Sequence, residues 1–339
     1  MQLVKFIEFV GKICYNNKIL RKGSGLLDKK RIVNIIGKIL MVLSIVFIAV
    51  KIYRYNLDFS VLSEKNILIV IALSAIACGF STYFLSPFGF VRILGVVSPK
   101  KIPARKIRYT YCKSNLYKYL PGNVMHYVGR NQIAVDEGIA HSEVITASVL
   151  EVITIVITSC ILSLVLSYSY FIQWFETNGF SWKILVIAAV AVIIATVLAV
   201  VFRKKAAEFI LQHKSLLSKK MAGEILISAF VYTVNFLVTA FVSAYLIVII
   251  TGTDYSALPK LCGLSVMAWL IGFITPGAPG GIGIRESVMC MFLATNDTTS
   301  TSGILTAVLL YRIVCILGDV IAFLIGVVGE KAGGGNGQN

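Results

Sequence analysis

The chain has 339 residues, 57% hydrophobic and 14% charged, with a mean hydropathy of +0.84. A soluble domain carries about 25% charged residues, so the polar surface is too small for the two soluble domains that this length would allow, and disorder, coiled coil and collagen are excluded with them. Lys and Arg outnumber Asp and Glu by 32 to 16, but eight of them lie in 1–31, nine in 87–143, six in 203–224 and none in 168–182, which is the alternation that orients a membrane protein and not the basic stripe of a nucleic-acid binder.

In chain order, residues 1–32 read as a cytoplasmic amphipathic arm. Leu3, Phe6, Ile7, Val10 and Ile13 recur at helical spacing, with Lys5, Glu8 and Lys12 opposite, as in a helix lying on the inner leaflet. The same charges interrupt any signal-peptide core. A bilayer crossing needs about 20 mostly apolar residues, and the runs that qualify are 33–53, 66–86, 144–168, 183–202, 225–250 and 304–329. The basic segment 87–143 is the longest stretch without a span. In it Lys100, Lys101, Arg105, Lys106, Arg108, Lys113 and Lys118 alternate with Tyr109, Tyr111, Tyr117 and Tyr119, a mixture suited to the headgroup layer. Two short apolar runs, 261–275 and 287–295, flank a Gly/Pro break and read as a broken helix or re-entrant hairpin. The expected fold is an all-α polytopic transmembrane helical bundle of about seven or eight spans with broken or re-entrant helices. It forms one integral membrane domain over 33–330, and a flexible tail follows over 331–339.

Placing the basic segments in the cytoplasm puts the N-terminus there and the loops 54–65, 169–182 and 251–260 outside. The C-terminus returns to the cytoplasm if 261–295 comes back to the side it entered from. The seven cysteines include no CxxC pair, so neither a disulfide framework nor a metal site is expected.

Two segments carry the functional argument. The first is Tyr119-Leu120-Pro121-Gly122-Asn123-Val124-Met125-His126-Tyr127-Val128-Gly129-Arg130. The second is Pro276-Gly277-Ala278-Pro279-Gly280-Gly281-Ile282-Gly283-Ile284-Arg285-Glu286. In both, an arginine stands nine residues after the proline, and the copies lie 155 residues apart. Proline removes a backbone donor and glycine permits a turn, so a helix stops there. The restarting helix aims free N–H groups and its positive dipole end at the gap, which favours an anion. Arg130 or Arg285 would add a bidentate grip on phosphate or carboxylate. The expectation is that 121–130 and 276–286 approach one another across a polar cavity. The glycine run lacks the Lys-Ser/Thr ending of a nucleotide loop, and no cofactor is expected.

These two segments resemble those of the flippase-like transmembrane region of the lysylphosphatidylglycerol synthases, a module that also occurs alone in bacteria and archaea, often near cell-surface polysaccharide genes. The resemblance covers roughly 30–330. It implies an integral membrane protein linked to moving lipids or lipid-linked sugars between leaflets, with Glu286 and Arg312 at recurring motif positions. It does not carry over the synthase reaction, because the soluble aminoacyl-transferase domain has no counterpart in this sequence. Members commonly have Glu-Arg in the helix after the first motif, whereas here Glu151 is followed by Val152.

Ionisable residues within spans are functional candidates. Glu151 lies in 144–168, and Arg312 and Asp319 share a face of 304–329 about two turns apart, each open to a partner among Arg285, Glu286 and Glu151. The expected headgroup-binding set is therefore Pro121, Gly122, Arg130, Glu151, Pro276, Gly277, Pro279, Gly280, Gly281, Gly283, Arg285, Glu286, Arg312 and Asp319, with no catalytic residue. The competing expectation for the charges is an ion pair tying the last helix to the break. Partners would be membrane lipids (anionic phospholipid or polyprenyl-phosphate-linked glycan), and a second copy or an envelope-biosynthesis enzyme. Two other functions fit less well. One is a non-catalytic partner of a polysaccharide or lipid-modifying enzyme. The other is an intramembrane headgroup transferase using His126, Asp136, Glu137 and His141.

Overall fold

The computed structural model describes residues 65–119, 125–178, 218–275, 281, 283–293 and 301–334. The amphipathic arm, the spans expected at 33–53 and 183–202, and Pro121, Gly122, Pro276, Gly277, Pro279 and Gly280 lie outside the described residues. Among the described residues every regular element is helical. In chain order they are α1 (Lys65–Val97), α2 (Ala104–Asn115), a 3-10 turn (Leu116–Tyr119), α3 (Met125–Arg130), α4 (Gln132–Glu137), α5 (His141–Asn178), α6 (Lys219–Thr251), a 3-10 turn (Tyr255–Ala257), α7 (Leu258–Ile274), α8 (Ile284–Leu293) and α9 (Thr301–Gly334).

Among the described residues five segments are long and apolar enough to cross a membrane: Asn66–Val97, His141–Ser169, Lys219–Thr251, Tyr255–Ile274 and Gly303–Glu330. Their surface agrees. On α1, Leu68, Ile69, Leu73, Ile76, Phe80 and Phe84 are exposed along one face, and α5 exposes Val149, Ile153, Ile157, Ile161 and Leu164. The same helix turns Thr154, Thr158, Ser159, Ser163 and Ser167 inward. Thr154, Ser159 and Ser163 bond carbonyls one turn back at 2.8–3.0 Å, so their hydroxyls are satisfied within the helix. Apolar outside and small polar inside is the inverse of a water-soluble bundle and suits packing in lipid.

Three boundaries differ from the sequence expectation. α1 runs through Pro87 to Val97, so the first part of 87–143 belongs to a span, because proline in an apolar helix removes one bond without forcing a stop. α5 continues to Asn178, since no glycine or proline precedes Gly179. α7 begins at Leu258, with a proline in its first turn, a position where the missing N–H would be free anyway. With the turn before it, the run expected to be short becomes long enough to cross.

α6 starts where the Ser218 hydroxyl accepts from Met221 N at 3.1 Å and ends at Gly252, whose φ of 70° closes it on Val248. In the packed bundle α1 lies against α6 and α9, and α7 lies against α5 and α6. One apolar core joins α6, α7, α8 and α9 through Ala244, Ile247, Leu264, Met289 and Ile304. A second joins the end of α1 to α2, α4 and α5 through Phe90, Ile93, Tyr111, Ile133 and Ala147.

Candidate functional site

Arg130 closes α3, and the chain then turns through α4 into α5, where Glu151 is fully buried. The Arg130 guanidinium pairs with Glu151 Oε2. Two tyrosine hydroxyls donate to Oε1, Tyr111 at 2.7 Å and Tyr232 at 3.2 Å. Three rings wall the cation, Tyr111 at 3.9 Å, Tyr127 at 5.0 Å and Phe90 at 5.2 Å from Cζ, each close enough for cation–π attraction. Burial opposes the charge on Arg130, but Glu151 and the surrounding tyrosines outweigh it and raise its pKa. A Cβ at position 89 would stand 2.5 Å from Tyr232 Cζ. Gly89 therefore admits the ring that reaches Glu151. Neither Arg130 nor Glu151, at 3% and 0% exposed, faces an open groove. A buried charge needs a partner first, and here each serves the other.

The second cluster lies at the other break. α7 ends at Ile274 with Thr275 extended, and α8 begins at Ile284. Between them Gly281 and Gly283 take φ of 71° and 82°, values that other residues rarely adopt. Gly281 folds back onto Gly272: a Cβ at Gly272 would lie 3.2 Å from Gly281 Cα. Arg312 of α9 reaches into this turn. Its Nε lies 2.6 Å from Glu286 Oε1, and its Nη2 donates to Glu286 Oε2 at 3.0 Å and to the Gly281 carbonyl at 2.7 Å. The expected ion pair between the last helix and the break is present, with Glu286 as the partner.

Asp319, two turns further along α9, takes none of the three partners expected for it. It accepts from Asn115 Nδ2 at 3.1 Å and from the Tyr119 hydroxyl, and its Oδ2 lies 2.7 Å from Lys118 Nζ. The basic, tyrosine-rich segment is thus turned inward in part: Tyr111 and Tyr117 are each 3% exposed. α2 is amphipathic, and its buried face carries Ile107, Tyr111 and Cys112 while Arg105 and Lys106 face out. Tyr119 belongs to the first segment, whereas Lys118, Asn115 and Tyr232 are site residues that spacing did not reveal. The one signal was the density of tyrosine before the first Pro-Gly pair.

Arg285 is different. Its side chain packs on the backbone of Gly272 and Gly281 and stands 6.0 Å from the Trp269 ring. Its Nε is buried without a hydrogen bond, and among the described residues no carboxylate pairs with it. The Tyr119 hydroxyl, beside Asp319, lies within electrostatic reach of Arg285.

The residues considered for transferase chemistry have other occupations. Glu137 pairs with Lys106 at 3.0 Å, Gln132 donates to Asp136 at 2.9 Å, and His141 contacts Asn131 Oδ1 at 3.2 Å. His126 is buried against Tyr127, and burial, reinforced by Arg130 and Lys118, pushes its pKa well below the ordinary value. Among the described residues no group of three or more His, Cys, Asp or Glu side chains is placed to hold a metal ion. Comparison of the sequence with known families and with curated proteins gave no match.

Proposed function

We propose that the chain is a flippase-like membrane protein resembling the transmembrane region of the lysylphosphatidylglycerol synthases, and that it moves a phospholipid or lipid-linked glycan between leaflets. In this reading it has seven or eight spans, with α7 and α8 as the two arms of a broken hairpin. The observation that carries the reading is the state of Arg285. Arg130 and Arg312 are each neutralised by a glutamate, and Asp319 by a lysine. Among the described residues Arg285 alone of these three arginines has no carboxylate paired with it, at a helix restart beside glycine backbone and an indole.

Holding an uncompensated charge in apolar surroundings is expensive. It is stabilised when an anionic group arrives, and a phosphate or carboxylate of a lipid headgroup has that charge and can accept the guanidinium's paired donors. The headgroup would exchange its water for Arg285 and the α8 N–H groups, which lowers the barrier to crossing. Acyl or polyprenyl tails would stay in the bilayer. In this scheme Arg130–Glu151 and Arg312–Glu286 hold the frame, and Arg285 meets the ligand.

The test is leaflet exchange of labelled phospholipid and polyprenyl-phosphate probes in liposomes containing the full chain. Exchange above that of empty liposomes is expected, and Arg285→Ala should reduce it about tenfold or more, the value of a charged hydrogen bond. Exchange no faster than in empty liposomes for every probe would overturn the proposal.

A further inference from the structure

A cavity of about 680 Å³ opens at the end of the bundle where α1 finishes and α6 begins. Its apolar side is made by Leu94, Ile102 and Ile107, and its rim carries Lys100, Lys101 and Lys220. All three lysines are exposed, and among the described residues no acidic side chain lines the space. The nearby acids have partners of their own. Glu137 pairs with Lys106 at 3.0 Å, Glu224 with Arg92 at 2.5 Å, and Glu143 accepts from Ser98 Oγ at 2.8 Å. Lys100 donates to the Glu137 carbonyl, and among the described residues Lys101 and Lys220 have no carboxylate.

Gly95 explains why the space is empty. It lies on the exposed face of α1 and lines the cavity. A Cβ there would have no neighbour within 4 Å, whereas at Gly79, Gly89 and Gly318 it would come within 3 Å of another atom. Those three glycines permit close packing. Gly95, in a helix that a glycine weakens, permits none and leaves room beside the lysines.

We propose that this cavity binds the headgroup and first acyl carbons of an anionic phospholipid, at a site separate from Arg285. Three considerations select that ligand. The cavity lies at the ends of two membrane-crossing segments, Val97 and Lys219, at the depth of a headgroup. The charged side chains among its described lining residues are all lysines, which attract an anionic lipid. Its floor is aliphatic, which gains nothing from a free phosphate ion but shelters a lipid's glycerol and upper chain. The volume suits a ligand of that size. The lipid would sit in this one leaflet and brace α1 against α2 and α6.

The experiment counts lipids retained by the purified full chain in detergent, using native mass spectrometry with phosphatidylglycerol or phosphatidylcholine, each with and without inorganic phosphate. One phosphatidylglycerol held in preference to phosphatidylcholine is expected. Lys101→Gln/Lys220→Gln should weaken that preference about thirtyfold, from the usual attraction per lysine. Gly95→Leu, which puts an aliphatic side chain into the cavity and should leave the unfolding temperature unchanged or raised, should reduce retention of that lipid. Any lipid held near Arg285 is common to all three proteins and cancels. Retention by Gly95→Leu equal to wild type would overturn the proposal, because the lysines would then attract lipid without the cavity. Equal retention of phosphatidylcholine, or full displacement by millimolar inorganic phosphate, would overturn it as well.

Discussion

Arg312 and Asp319 lie seven residues apart on α9, and each ties that helix to a different Pro-Gly segment. Arg312 holds Glu286 and the Gly281 carbonyl after the second. Asp319 holds Asn115, Lys118 and Tyr119 just before the first. One helix face therefore holds the described residues that flank both Pro-Gly segments. Arg285 packs beside the turn that Arg312 fastens.

Removing one partner of a buried pair leaves the other charge uncompensated, at a cost of about 3–5 kcal/mol, whereas replacing both by apolar groups is often neutral. Arg312→Leu should therefore lower stability in detergent strongly, and Arg312→Leu/Glu286→Leu should recover most of it. Thermal unfolding of the two variants checks this, and a double variant no more stable than the single would contradict it.

Glu151 depends on Tyr232 for one of its hydrogen bonds. Tyr232→Phe should destabilise by about 1.5 kcal/mol, the low end for a bond to a charged group. Gly89→Ala should do at least as much, because its Cβ would overlap the tyrosine ring at 2.5 Å. In the Tyr232→Phe background the added loss from Gly89→Ala should shrink, since the hydrogen bond is already gone. Denaturant titration of the three variants measures the coupling.

Gly281 and Gly283 both have positive φ, but only Gly281 is crowded. A Cβ there would lie 2.8 Å from Arg285 Nε and 3.0 Å from Gly272 Cα, while Gly283 has open space. Gly283→Ala should cost about 1–2 kcal/mol from backbone strain alone. Gly281→Ala should cost more and should also displace Arg285, so leaflet exchange should fall further than stability predicts. Equal effects at both positions would count against this geometry.

His126 is held neutral by burial, with Arg130 and Lys118 adding to the effect. Its folded pKa lies below the ordinary 6.5, so the unfolded chain takes up the proton first as pH falls. Stability contributed by the neutral ring is therefore complete above 6.5 and is lost below it, with a slope of up to about 1.4 kcal/mol per pH unit. His126→Phe should flatten that part of the stability profile. Unfolding temperatures measured between pH 7.5 and 5 for both proteins test it.

Composition and apolar run length determined the class of this protein by themselves, because burial in lipid requires helices whose side chains are apolar along a whole crossing, and that is a local property of the chain. The glycines of the second break and the charged residues worth attention were legible for the same reason. Pairing was not. Asp319 meets Asn115 across 204 residues and Tyr119 across 200, and no periodicity encodes which distant carboxylate will meet which cation. The tertiary structure decided that Arg130 and Arg312 are neutralised while Arg285 has no carboxylate partner among the described residues, because each buried charge takes the partner that packing of α5, α8 and α9 brings within reach. It also decided that Gly95 borders a hollow while Gly89 receives a ring, a distinction that depends entirely on what the neighbouring helix presents.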